Sequence, residues 1–178
     1  MTAWEKTLRI VLSVLFVAIV AVMAAAFVDT SSDWYQALVL PALQPPPIAF
    51  SIAWGIIYLL FAASLSIVSI KSGAGLQNAS SSATPDSKPK STDLFSKNKS
   101  TLLLYLASGV LNVLWTYVFF TLENPAGALF VLIVTVIVTA LLIADAFSVS
   151  QAAACFLVPY LVWLCFALYL NYEIAFLN

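Results

Sequence analysis

Five runs of predominantly apolar residues, at about 8–28, 48–70, 101–122, 125–147 and 152–176, leave this chain few ways to fold. Each is about 20 residues long, and at a rise of about 1.5 Å per residue each matches the ~30 Å hydrocarbon core of a bilayer. Inside lipid every backbone N–H and C=O must find its partner within the protein, so such runs become helices. Hydrophobic residues make up 63% of the chain and charged ones 8%, which would leave a water-soluble domain of this size with far too much apolar surface exposed. The expected fold class is an all-α membrane protein: a five-transmembrane-helix bundle with a proline-rich first loop over an internal pocket. The first run follows Lys6 and Arg9 and ends in Ala24, Ala25 and Ala26, a pattern shared with signal peptides. A retained span is the expectation, because the helices that follow need a partner on that side of the bundle.

The loops set the expected orientation. All seven basic residues fall in the amino-terminal segment or between the second and third runs, as Lys6, Arg9, Lys71, Lys88, Lys90, Lys97 and Lys99. Basic loops stay on the cytoplasmic side, so the amino terminus is expected there and the proline loop on the opposite face. The segment 72–99 is rich in Ser, Gly, Asn and Lys and reads as a flexible linker between spans two and three, outside the membrane. The later turns, Glu123-Asn124 and Ser148 to Gln151, are short, which makes spans three, four and five antiparallel neighbours. A bacterial inner membrane is the expected location, with an organelle membrane such as the mitochondrial outer membrane as the alternative, because no Arg-rich presequence stands at the start.

Several chemistries are excluded early. The chain has no histidine, which removes the commonest general base and metal ligand, so neither a metal centre nor a required cofactor is expected. Cys155 and Cys165 lie ten residues apart in one run, about 15 Å along a helix, too far to bridge each other. The basic residues form no patch of the kind that binds nucleic acid. Small residues such as Ala21 and Ala25 give a weak signal for a homodimer.

The informative stretch is Trp34 to Tyr58. Asp29, Thr30, Ser31, Ser32 and Asp33 favour turns and helix starts. Trp34 and Tyr35 are suited to headgroup depth. Pro41, Pro45, Pro46 and Pro47 then forbid a regular helix until Pro47 can open one. The second span carries Trp54 and Tyr58 one turn apart, the third Asn112, Trp115 and Phe119, and the fifth Tyr160, Trp163 and Asn171. Asn112 lies mid-span, where an amide must face a partner helix or a ligand. Each tryptophan alone reads as core packing. Together, beneath a stiff proline loop, they describe an aromatic cage for a flat hydrophobic molecule. The fourth span is nearly all aliphatic; its Thr135 and Thr139 can bond to their own helix, which makes it scaffold.

These motifs resemble one family. The run W-Y-x-x-L-x-x-P at Trp34–Pro41, P-P-x-x-x-F-x-x-x-W-x-x-x-Y at Pro45–Tyr58, L-N-x-x-W-x-x-x-F-F at Leu111–Phe120, and V-P-Y-L-x-W at Val158–Trp163 with a later Leu170-Asn171 are similar to the tryptophan-rich sensory proteins, which include the mitochondrial translocator protein or peripheral benzodiazepine receptor. The resemblance implies a membrane receptor, sensor or transporter that binds porphyrins such as protoporphyrin IX and related flat ligands. Trp54, Tyr58, Asn112, Trp115, Tyr160 and Trp163 would line the pocket, and Trp34, Tyr35, Pro41, Pro45 and Pro46 would form the lid. Some bacterial members degrade protoporphyrin in light, a role that would fall to Trp54 and Trp163. The remaining alternative is a structural or partner-binding membrane protein. Without histidine a metal-free porphyrin is easier to hold than haem, which would need a weaker axial donor such as tyrosine. Three features depart from the family pattern. Ala42-Leu43 stands where the lid often carries tryptophan, the 72–99 segment is an insertion, and no basic residue follows Tyr172 to complete the sterol-recognition pattern, so sterol binding by that route is not expected.

Overall fold

A computed structural model describes the backbone of residues 1–81 and 90–178 and the side chains of 1–74 and 99–178. Its elements in order are α1 (Ala3–Phe27), α2 (Asp33–Ala37), α3 (Pro47–Ser81), α4 (Lys90–Thr116, continued by a π-helical turn Tyr117–Thr121), α5 (Pro125–Val149) and α6 (Gln151–Leu177). Five segments are long and apolar enough to cross a bilayer: Ala3–Phe27, Pro47–Ala74, Lys99–Thr121, Pro125–Val149 and Gln151–Leu177. Among the described residues there is no strand.

Helix ends follow local chemistry. Thr2 and Glu5 form a reciprocal cap at the start of α1: the Thr2 hydroxyl accepts from the Glu5 amide at 3.2 Å, and the Glu5 carboxylate accepts from the Thr2 amide at 2.9 Å. At α5, Pro125 occupies the first turn, where its missing N–H costs nothing, and the Asn124 side chain accepts from Gly127 N at 2.8 Å. Glu123, in the tight reversal just before, is held at φ 51°, a left-handed conformation that a residue with a Cβ adopts only under constraint.

Two boundaries differ from the sequence expectation. α3 does not stop at Ile70 but runs to Ser81, and α4 already begins at Lys90, so the flexible segment expected over 72–99 is helical at both ends. Once a helix is nucleated each added residue costs little, and no proline stands between Pro47 and Pro85 to stop it. The stretch 82–89 lies outside the described residues.

The five long helices pack as a closed ring in the order α1, α3, α6, α5, α4 and back to α1, with α3 and α4 also touching across the middle. Lipid lies outside the ring; inside it an apolar core is crossed by bonds from small hydroxyls that tie helix to helix. Ser64 on α3 donates to the Ala153 carbonyl of α6 at 2.6 Å and lies 2.5 Å from the Tyr105 hydroxyl of α4. Thr101 on α4 donates to Asp145 on α5 at 2.6 Å, and Lys71 on α3 to the Ser150 hydroxyl at 3.1 Å. Of the α5 threonines, which can bond to their own helix, Thr135 does so by donating to the Val131 carbonyl. Thr139 instead meets Ser108 of α4 at 3.4 Å.

Candidate functional site

On α3 the spacing of four puts Trp54 and Tyr58 on one face, their rings stacked with centroids 5.4 Å apart and planes 28° from parallel. On α6 the spacing of three does the same for Tyr160 and Trp163, just after Pro159, which has no N–H to give the Cys155 carbonyl one turn earlier. Because α3 and α6 are neighbours in the ring, the two faces meet. Trp54 lies 6.2 Å from Tyr160 and 6.4 Å from Trp163, the second contact nearly perpendicular at 80°. These are the separations at which aromatic quadrupoles attract edge to face. Phe50 packs on Trp163 at 5.6 Å and Phe61 on Tyr160 at 5.7 Å, closing the group above and below.

The polar atoms of this cluster are few. Tyr58 donates its hydroxyl to the Asn112 side-chain oxygen of α4 at 3.0 Å, so the buried mid-span amide faces inward as its cost demands. Tyr160 is 4% exposed and ends among Ser108, Asn112 and Thr139. The Trp163 Nε1 is buried and has no hydrogen-bond partner. An indole donor left unmade in a dry interior is worth about 1–3 kcal/mol to anything that accepts from it. The cavity beside these rings, walled also by Phe16, Val20 and Gly109, measures about 10 Å³. That is room for about one water, against the roughly 300–1,000 Å³ of pockets that enclose organic ligands. The internal pocket is present but filled by its own rings.

Trp115 goes elsewhere. Its Nε1 donates to the Asn171 oxygen of α6 at 3.0 Å, and the Asn171 amide donates to the Pro125 carbonyl at 2.8 Å, so one asparagine ties α4, α5 and α6 together. Trp115 then packs on Phe119 at 5.9 Å and Phe120 at 6.5 Å, in a second apolar cluster nearer the proline loop. It also borders the main core, but makes no ring contact with Trp54 or Trp163. Trp115 and Phe119 share a face as their spacing of four predicts, and the helix widens only after Thr116, where the Leu122 amide bonds Tyr117 five residues back.

The lid sits on that second cluster. Ser32 caps α2 by accepting from Tyr35 N, and the short helix sets Trp34 edge-on against Phe119 at 5.6 Å and Tyr35 stacked on Phe120 at 5.7 Å. Burial raises the Tyr35 phenol above its ordinary pKa. The Ser31 hydroxyl and amide both donate to Asp29 and hold its carboxyl below the ordinary value. Of the prolines, Pro41 is buried, Pro45 half-buried and Pro46 exposed, so Pro41 is the one wedged into the bundle top. A contact that sequence reasoning missed closes the far side: the Asn178 side chain accepts from Val39 N at 2.9 Å and donates to the Val39 carbonyl at 3.3 Å, as a neighbouring strand would.

Of the predicted residues, then, Trp54, Tyr58, Tyr160, Trp163 and Asn112 come together, Trp115 stands in an adjoining layer, and Trp34, Tyr35 and Pro41 form the cover of that layer. A ring of five helices long and apolar enough to cross a bilayer, with an aromatic junction between α3 and α6, defines a multi-pass membrane protein. The chain belongs to the TspO/MBR family, whose profile matches residues 12–177. It is 31% identical to the tryptophan-rich protein TspO of Archaeoglobus fulgidus over 172 residues, 96% of this chain and 97% of that one. It is 30% identical to a tryptophan-rich sensory protein of Cereibacter sphaeroides, over 82% of this chain and 77% of that one. Protein CrtK of Rhodobacter capsulatus is 28% identical over 93% of this chain and 91% of its own length. The protein is a multi-pass membrane protein of this family.

Proposed function

We propose that the α3–α6 aromatic junction is a binding site for porphyrins and related flat hydrophobic ligands, reached when the lid lifts and the rings part. The observation that carries this reading is the buried, unpartnered Trp163 Nε1 beside Trp54, Tyr58 and Tyr160. Four ring faces supply stacking area for a macrocycle, and the indole N–H supplies the one donor that the protein's own groups leave unused. Because the cavity as folded holds about one water, binding is coupled to opening, and the measured affinity is lowered by the fraction of time the rings stand apart. The distribution of the basic residues favours a cytoplasmic amino terminus with the lid on the opposite face, and the bacterial relatives favour a bacterial membrane.

Titration of detergent-solubilised protein with protoporphyrin IX, followed in the porphyrin absorbance band, tests this. Trp163→Phe keeps a ring and removes the donor; loss of a bond worth about 1–3 kcal/mol to the acceptor predicts affinity weaker by roughly 5- to 150-fold. Unchanged affinity for both Trp163→Phe and Trp54→Ala, with helix content intact, would refute the site. A light-driven reading is favoured by the Trp54–Trp163 contact, which would set two oxidisable indoles against a bound ligand. Steady illumination of the complex separates the two: bleaching of the porphyrin band that Trp54→Phe abolishes marks degradation, and a stable band marks binding alone.

A further inference from the structure

At the end of the bundle where the basic residues gather, α1, α3 and α4 enclose a cleft of about 270 Å³ lined by Arg9, Leu12, Phe16, Leu65, Leu102 and Leu106, among others. It dwarfs the cavity at the aromatic junction and approaches the roughly 300 Å³ at which organic ligands are commonly enclosed. Its outer wall faces lipid, since Leu12, Leu102 and Leu106 are 54%, 40% and 48% exposed, while Tyr105 at its floor is 1% exposed. The cleft is therefore a groove open along the bilayer, apolar for most of its length, with one cation at its rim.

That cation is turned inward. An arginine near a helix end usually reaches outward to the headgroups, but Arg9 donates Nη1 to the Ser69 carbonyl of α3 at 3.0 Å. Its guanidinium lies so close over Gly73 that a Cβ there would come within 2.7 Å of Cζ. Only glycine allows this approach. Glu5, one turn earlier, directs its carboxylate back to the Thr2 amide. The rest of the guanidinium's five donors have no acceptor in the described structure. A cation fixed at the apolar edge of a membrane with no carboxylate opposite it among the described residues calls for an anion.

We propose that this groove is a site for an anionic phospholipid of the surrounding bilayer, its phosphate on the Arg9 guanidinium and one acyl chain along Leu12, Phe16, Leu102 and Leu106. The planar fork of arginine matches two phosphate oxygens at once, and basic pockets between membrane helices hold headgroups in this way. A zwitterionic lipid brings its own cation next to the phosphate and gains less. Phe16 walls both this groove and the aromatic junction, so an acyl chain here would brace the α1 side of the ligand site.

The test is delipidated full-length protein in neutral detergent, exposed to equal concentrations of dioleoyl-phosphatidylglycerol or dioleoyl-phosphatidylcholine, with retained lipid counted by native mass spectrometry and the thermal midpoint recorded. Wild type is expected to keep one phosphatidylglycerol in preference to phosphatidylcholine and to gain in midpoint with it. Arg9→Gln is expected to weaken that preference about tenfold. Gly73→Ala, which displaces the guanidinium without removing charge, and Leu106→Trp, which fills the groove, are each expected to reduce retention; they carry the test should Arg9→Gln fail to fold. Equal retention of the two lipids by wild type, undiminished retention in all three variants, or a midpoint raised as much by inorganic phosphate as by the lipid would each overturn the proposal.

Discussion

The Ser64–Tyr105 pair offers a sharp test of how this bundle is held, because the direction of its protons can be worked out. Ser64 has one hydroxyl proton, and at 2.6 Å from the Ala153 carbonyl, which can only accept, that proton is committed. In the 2.5 Å contact Tyr105 must therefore be the donor and Ser64 the acceptor. Both residues are sealed from solvent, at 0% and 1% exposure. Tyr105→Phe removes one bond and strands no donor. Interhelical hydrogen bonds in membranes average about 0.6 kcal/mol and reach about 1.7, so a loss of about 0.6 kcal/mol is expected. Ser64→Ala removes the acceptor and leaves the Tyr105 O–H unmade in a dry interior, which adds about 1–3 kcal/mol. The double variant loses both bonds but strands nothing. It should be more stable than Ser64→Ala alone, by about 1 kcal/mol, a coupling that simple additivity forbids. Equilibrium unfolding in mixed micelles, followed by far-ultraviolet circular dichroism, measures all three. A Tyr105→Phe cost equal to or above that of Ser64→Ala, or additive losses in the double variant, would show that the proton assignment is wrong.

Three further outcomes follow from the geometry. Glu123→Gly relieves the left-handed backbone before α5 and should raise stability by about 0.5–1 kcal/mol in the same assay, after the entropic cost of glycine is allowed for. Trp115→Phe breaks the bond to Asn171 and should destabilise by about 1 kcal/mol, yet leave protoporphyrin affinity within about twofold, because Trp115 stands apart from the Trp54 cluster. Asp29 has a folded pKa below its ordinary value of 3.8, so the order it lends the lid is complete above that pH and is lost as pH falls through the lowered value. Trp34 fluorescence should accordingly hold steady down to pH 3.8 and change only below it.

Much of this was legible in the residues. Long apolar runs dictate spans, short capped turns dictate antiparallel neighbours, and the i, i+4 pair Trp54–Tyr58 dictates a shared face whatever the neighbours do. The Tyr58–Asn112 bond, too, follows from the cost of a lone amide in lipid. What could not be read depends on which helices adjoin. Nothing local tells Trp163 that it will find no acceptor, or Trp115 that Asn171, far along the chain, will claim its N–H. The π turn at Tyr117–Thr121 leaves no mark in a sequence of ordinary helix formers, yet it carries the Phe119 and Phe120 rings on which the lid packs. Tyr105, Arg9 and Gly73 gave no early signal either, because each matters only through a residue on another helix.

The ring order has a consequence for biogenesis. α6 lies between α3 and α5, although α3 leaves the translocon two spans ahead of α5 and three ahead of α6 in element count. A nascent polypeptide halted after α5 has a gap in its wall, and the indole and phenol of Trp54 and Tyr58 look out through it. The aromatic junction comes into being only when the final helix slides into that gap, so the contact of Trp54 with Trp163 is a mark of completed helix insertion.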